Sequence, residues 1–268
     1  MGWRDAFRAR LSSRGGRARD AAAAAAMVGA AAAAARGANV AALALWGPLA
    51  HAGRARAQNN VGACFSEGLG VGRDDALAVR WLTLAAEAGD PVGRRNLASA
   101  LYRGLGVEKD QARAAALYRL AADAGDAAAQ DMLSHMLMEG EGGPCDYAQA
   151  RRYALAAAEQ GVASAMALLG RLHHDALGVA RDPAAAALWR RRAAERGHAD
   201  AQALLGAALH IGQGVVRDDV EALAWLLRAE RGASLLAARF MGSVRGALSP
   251  EDVAEAERRA RIAPGAGA

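Results

Sequence analysis

His174 and His210 stand 36 residues apart, with His173 beside the first. Imidazoles in a row are raw material for a metal site or for proton transfer. A zinc site or a catalytic base would need a further ligand or partner. The equivalent places elsewhere in the chain hold Ser66, Tyr102 and Met138, which supply no such set. Asp175 is adjacent in sequence, but neighbours on a helix point about 100° apart. The histidines therefore read as packing or surface residues at helix ends, with membership of a binding patch as the alternative.

Other reactive types are sparse. Cys64 and Cys145 form no CxxC pair and no cluster with histidine, which argues against a disulfide framework and a structural zinc site. Cys64 falls on an apolar helical position and reads as core filling. Lys109 is the sole lysine and lies outside any GxxxxGK sequence, so it reads as a solvated charge. No HExxH, GxSxG or paired-carboxylate motif occurs. GLGVGRDD, from Gly68, looks like a phosphate-binding loop until its near-copies are seen: GLGVEKDQ from Gly104, ALGVARDP from Ala176 and GQGVVRDD from Gly212. A loop that recurs down the chain is explained by structure. The expectation is a non-enzyme with no catalytic, cofactor-binding or metal residue, a hydrolase being the remote alternative.

The copies fall on a period of 36. Asp74, Asp110, Asp146, Asp182 and Asp218 share one column; Gly70, Gly106, Gly142, Gly178 and Gly214 share another. Alanine columns run from Ala78 and from Ala85, and a large side chain recurs at Trp81, Leu117, Tyr153, Trp189 and Trp225. Alanine abundance cannot produce the aspartate and glycine columns, so this is a repeat protein.

Each unit reads as helix, glycine-bearing turn, helix, glycine stop. The aspartates are placed to cap the second helix, worth about 1 kcal/mol each. Gly89, Gly125, Gly161 and Gly197 are placed to close it in a left-handed conformation. Small alanines permit close helix crossing, and the large column fills the space between helices, an aromatic cage being the minor alternative. Valine follows the second glycine except in EGEGGPCDY, Glu139 to Tyr147, where a looser turn is expected.

These features predict an all-α, right-handed alpha-alpha solenoid, a superhelix of 36-residue helix-turn-helix repeats. Five repeats are drawn at 58–93, 94–129, 130–165, 166–201 and 202–236. Residues 22–57 form a degenerate amino-terminal capping repeat with Ala38 at the aspartate place. The last unit reads as having lost one residue before Gly232. Residues 237–262 form a carboxy-terminal capping region, where Ser249, Pro250 and Asp252 signal a helix start. Residues 263–268 read as a flexible tail, and the modified ends predict a monomer.

Residues 1–21 form a basic segment, read as disordered or part of a signal. It runs into AAAAAAMVGAAAAAAR at 21–36. Two readings stay open: an export signal, giving a periplasmic or secreted protein, and an alanine-rich helix of a cytoplasmic one, which is favoured. No stretch reaches the 18 uncharged apolar residues of a membrane span.

The joint GxGV-x-x-D, aromatic and AA spacing resembles the Sel1-like repeat family, a tetratricopeptide-related class. AQALLGAALHIGQGVVRDDVEALAWLLRAE, Ala201 to Glu230, carries it most fully. The resemblance covers 58–236 strongly and 22–57 faintly. It implies a curved scaffold or adaptor that holds other proteins, in bacterial signalling, regulation or complex assembly. Relatives with paired cysteines in each unit are linked to beta-lactam chemistry; this chain lacks the pairing, so that activity does not follow.

The partner surface is expected where the first helices vary between copies: Arg95, Ser99, Arg103, His135, Arg171, His174 and His210. The net charge of +5 and the arginines at 190–192 and at 258, 259 and 261 raise a nucleic-acid-binding alternative. Interspersed acidic residues and the absence of aromatics alternating on a basic surface make nucleic acid the weaker partner.

Overall fold

The computed structural model describes the backbone of residues 3–262 and the side chains of residues 19–262. The expected flexible tail at 263–268 lies outside the described residues, as do Met1 and Gly2. Every regular element among the described residues is an α-helix. The chain divides into two compact units, Met1–Asp126 and Ala127–Ala268.

The first unit contains α1 (Trp3–Ala35), α2 (Asn39–His51), α3 (Ala55–Glu67), α4 (Asp75–Glu87), α5 (Pro91–Arg103) and α6 (Gln111–Asp123). The second contains α7 (Ala127–Glu139), α8 (Tyr147–Glu159), α9 (Ala163–Asp175), α10 (Pro183–Glu195), α11 (Ala199–Ile211), α12 (Asp219–Arg231), α13 (Leu235–Gly246) and α14 (Pro250–Arg261). Within each unit successive helices pack pairwise and each pair stacks on the next, giving an all-α solenoid. Thirteen helical residues, a seven-residue turn, thirteen more and a three-residue turn make the 36-residue period.

The capping expectation is met in all five repeats. A carboxylate oxygen of Asp74, Asp110, Asp146, Asp182 and Asp218 accepts from the backbone N–H three residues on, at 2.8–2.9 Å. This satisfies a donor that the helix ladder leaves over. The same aspartates' backbone N–H groups close the seven-residue turn, Asp74 to the Phe65 carbonyl and Asp146 to that of Leu137, both at 2.9 Å. The turn at EGEGGPCDY is therefore closed like its neighbours, and the expected loosening is not found.

Two further expectations are corrected, one at the last repeat and one, in part, at the large column. No residue is missing before Gly232: α12 keeps thirteen residues and α13 begins 36 after α11. Ala233, at φ +59°, takes the left-handed place that glycine holds in the other three-residue turns. The large column fills its helix pair as expected at Tyr153 and Trp225, both buried; at Trp81, Leu117 and Trp189, which stay partly exposed, the residue that follows, Leu82, Tyr118 or Arg190, is the buried one. Leu82 sits over Gly62 and Leu226 over Gly206, where an added Cβ would come within 2.9 Å.

The amino-terminal cap departs as expected, Ala38 preceding α2 without a side-chain cap. Ala30 and Ala33 of α1 bury against Ala42, Trp46 and Ala50 of α2, and Cys64 joins the same core. At the other end Ser249 caps α14, its hydroxyl accepting from Asp252 N–H and donating to the Asp252 carboxylate. Arg228 and Arg231 of α12 reach the last carbonyls of α14, with Arg231 Nη2 2.7 Å from Ala260 O.

Candidate functional site

In the first unit α3, α4 and α5 enclose a groove of about 250 Å³ lined by Ser66, Glu67, Arg73, Asp75, Ser99 and Arg103, with Leu82 at its floor. Ser99 and Arg103 were expected at a partner surface; the other polar residues were not. Arg73 clamps Asp75 through Nε at 3.0 Å and Nη2 at 2.9 Å. That hydrogen bond outweighs desolvation and, with the charges of Arg73 and Arg103, holds the Asp75 carboxyl below the usual carboxylate range. Arg95 lies on the same helix, but its Nη1 donates to both Asp126 carboxylate oxygens, at 2.9 and 3.1 Å, and its Nε donates to Asn96 Oδ1 at 3.4 Å. It acts as a strut more than as a free contact.

The last repeat of the second unit repeats this layout with different chemistry. Arg217 holds Asp219 at 2.7 Å, as Arg73 holds Asp75. His210 Nδ1 lies 2.6 Å from the Asp219 carboxylate, and its Nε2 lies 3.1 Å from Ser243 Oγ. With the proton on Nδ1, the ring donates to Asp219 and accepts from the Ser243 hydroxyl. The order Ser–His–Asp is that of a nucleophile and its base, but Ser243 lies inside α13. Neighbouring backbone N–H groups there are consumed by the helix ladder and leave no oxyanion hole. The chain of bonds ties α11, the start of α12 and α13 together.

Between them in sequence, Arg171 reaches Glu139 at 2.8 Å and Asp175 at 3.6 Å. His174 Nε2 lies 3.9 Å from Asp175. Burial lowers the His174 pKa below its ordinary value, and the charge of Arg190 adds to this. His135 stays partly exposed, 3.8 Å from Asp131. The structure thus joins Ser99 with Arg103 and Arg171 with His174, while His210 turns to Asp219. Among the described residues no group of three His, Cys, Asp or Glu side chains could hold a metal ion, and no catalytic fold or cofactor site is evident.

The arginine clusters behind the nucleic-acid alternative are largely engaged. Arg258 and Arg259 both grip Glu255, Arg191 pairs with Glu221 at 2.7 Å, and Arg192 stacks 4.7 Å over Trp189. Arg228 covers Trp225 and Arg152 covers Tyr153, so guanidinium groups already occupy these aromatic faces. No described helix is long and apolar enough to cross a membrane.

Sequence reasoning missed Arg73, Asp75, Arg217, Asp219 and Ser243, and raised Arg190 only as part of the nucleic-acid alternative. A signal for four of them was present in the triplet RDD, at 73–75 and again at 217–219. The first aspartate caps the helix; the second, one residue on, faces the groove.

Comparison with known proteins agrees with this architecture. The Sel1 repeat model matches residues 55–90, 91–126, 127–162, 163–198 and 199–233, about three residues ahead of the frame drawn from sequence. A crystal structure of a Sel1 repeat protein from Oxalobacter formigenes superposes with a TM-score of 0.78 at 25% identity, covering 90% of this chain and 98% of that one. A protective antigen of uropathogenic Escherichia coli strains, described as displaying an SLR fold, gives a TM-score of 0.73 at 29% identity over 83% of this chain. The chain spans only 49% of that antigen's length. No curated protein sequence matches the chain.

Proposed function

Because the chain belongs to the Sel1 repeat family, whose solenoids typically mediate protein–protein interactions, we propose that it is a non-enzymatic scaffold or adaptor. In this reading it holds a protein partner along the grooves of its first helices and serves bacterial signalling, regulation or complex assembly. The observation that carries the reading is the groove of Ser66, Glu67, Arg73, Asp75, Ser99 and Arg103, which presents both signs of charge in fixed geometry. Such a surface suits an extended, charged segment of another chain, and each repeat offers changeable positions at the same height. The bacterial sources of both similar structures support the setting.

We place the protein in the cytoplasm as a monomer. The burial of Ala30 and Ala33 against α2 supports retention of the alanine-rich segment, since cleavage there would strip the first pair of its core. Mass analysis of the mature amino terminus tests the first point, and light scattering the second.

Crosslinking capture from native cells tests the scaffold, followed by affinity measurement with Arg103→Glu and Arg171→Glu. A reproducible partner whose affinity falls at unchanged helicity is the expected result. Failure to recover any reproducible protein would count against the scaffold, and unchanged affinity after substituting the whole predicted set would discard the surface.

A further inference from the structure

At the depth where α4 carries Leu82 and α12 carries Leu226, α10 carries Arg190. The side chain is 7% exposed, its stem crosses Gly170 of α9, and its Nε is enclosed without a hydrogen-bond partner among the described residues. A buried guanidinium is ordinarily met by a carboxylate or carbonyls, because a desolvated charge left alone opposes folding. Here no acidic side chain reaches it among the described residues. Asp175 is felt only as a through-space charge, and Arg171 already engages it.

The surroundings are cationic. Arg181 and Arg190 both act on His174, and neither makes an ion pair among the described residues. Arg171 serves Glu139 and Asp175. Three guanidiniums against two carboxylates, with a neutral imidazole, leave one positive charge. The 36-residue register places Leu204, Ala207 and Ile211 of α11 where α5 supplies Asn96, Ser99 and Arg103. Ile211 is 65% exposed. By this register the face of α9, α10 and α11 corresponds to the groove of α3, α4 and α5, with a guanidinium lacking an ion-pair partner among the described residues in place of Leu82 and apolar side chains in place of Asn96, Ser99 and Arg103.

We propose that this face of α9, α10 and α11 is an acceptor for a single carboxylate on an extended peptide of the partner, read by the planar donor fork of Arg190. This deepens the protein-binding reading and rests on it. One surplus charge matches a monoanion. A phosphate dianion would overshoot it and face Asp175 and Glu139. Arginine fits the planar carboxylate in two parallel hydrogen bonds, which lysine cannot reproduce. The apolar side chains of α11 would take the peptide's neighbouring aliphatic side chain.

A glycine-serine hexapeptide with acetylated and amidated ends and one glutamate as its sole charge, beside its glutamine twin, is the probe, with inorganic phosphate as competitor at constant ionic strength. Wild-type protein should prefer the glutamate peptide by about tenfold, and Arg190→Leu should bring the ratio to about one. Leucine belongs at this depth in two other repeats, so that variant should fold. Should its helicity fall, Arg190→Lys provides the second reading, with a weakened preference at unchanged circular dichroism. Equal affinities for the twins, no binding, a preference that survives in both variants, or displacement by phosphate at or below the peptide's concentration would each overturn the proposal. Crosslinking capture by wild-type protein separates the two levels: a partner recovered while the peptides fail leaves the scaffold standing and removes only this acceptor.

Discussion

Gly214 lies against the backbone of Pro183, the first residue of α10 in the preceding repeat; a Cβ at Gly214 would come 2.0 Å from the Pro183 carbonyl oxygen. Gly106 stands in the same relation to Asp75, at 2.1 Å, and Gly70 to Asn39, at 2.6 Å. The second glycine of each such turn has two tasks. It adopts positive φ, and its missing side chain lets the turn rest on the previous second helix. One-repeat spacing is set by this contact between backbones.

Gly214→Ala should therefore cost at least ~3 kcal/mol, because the obstruction is backbone and cannot rotate away. Gly197→Ala is the control. Its φ is +84° but nothing lies within 4 Å, so only the conformational penalty of about 1 kcal/mol applies. Urea denaturation of both variants measures the difference, and equal losses would refute the contact argument.

Two alanines occupy left-handed positions that glycine fills elsewhere: Ala176 at φ +58° and Ala233 at φ +59°. Ala176→Gly and Ala233→Gly should each stabilise the protein by ~0.5–1 kcal/mol, relief of strain exceeding the added freedom of the unfolded chain. The midpoint of thermal unfolding should rise for each.

Two helical glycines beneath large partners should respond unequally to alanine. At Gly206 the new Cβ meets Leu226 Cγ and the Ala222 carbonyl oxygen, both at 2.9 Å. The cost should be ~1–3 kcal/mol despite alanine's better helix propensity. At Gly170 the nearest atoms are Arg190 Cγ at 3.1 Å, on a flexible stem, and the Ala186 carbonyl oxygen at 3.3 Å, both farther off than their counterparts at Gly206. Gly170→Ala should stay within ~1 kcal/mol of wild type, with the propensity gain offsetting a small shift.

Acid sensitivity should concentrate at the clamped carboxylates. Arg217's hydrogen bond, opposed by desolvation and reinforced by His210, keeps the Asp219 pKa below its ordinary value. Glu221 is also depressed, with burial opposing the hydrogen bonds from Arg191 and Trp225 that lower it. Each group binds its proton more readily unfolded than folded. The stabilisation is complete above the unfolded values, near pH 4, and is lost as pH falls through the folded ones. Unfolding temperature against pH should show a shallower acid limb in Asp219→Asn than in wild type.

The His174 ring should titrate below the ordinary histidine value of about 6.5, first because it is partly buried and second because Arg190 lies near. With the folded pKa below the unfolded one, its contribution is complete above the unfolded value and is lost as pH falls through the folded value. Histidine ring signals in NMR should move to a higher midpoint in Arg190→Leu. An unchanged midpoint would show that Arg190 does not act on the ring.

The sequence alone determined what is local or strictly periodic. The repeat length, the paired helices, the aspartate caps and the glycine stops follow from turn and cap chemistry that one unit contains, and recurrence multiplied the signal. It also pointed to Ser99, Arg103, Arg171 and His174 as places where copies differ. Tertiary structure decided which neighbour each helix face meets, because one residue's shift on a helix turns a side chain by about 100° and the packing of adjacent repeats fixes the outcome. That is why Asp74 caps while Asp75 faces the groove, why His210 is engaged by Asp219 and Ser243, and why Arg190, one of three successive arginines in the sequence, lies buried over Gly170 without an ion-pair partner among the described residues.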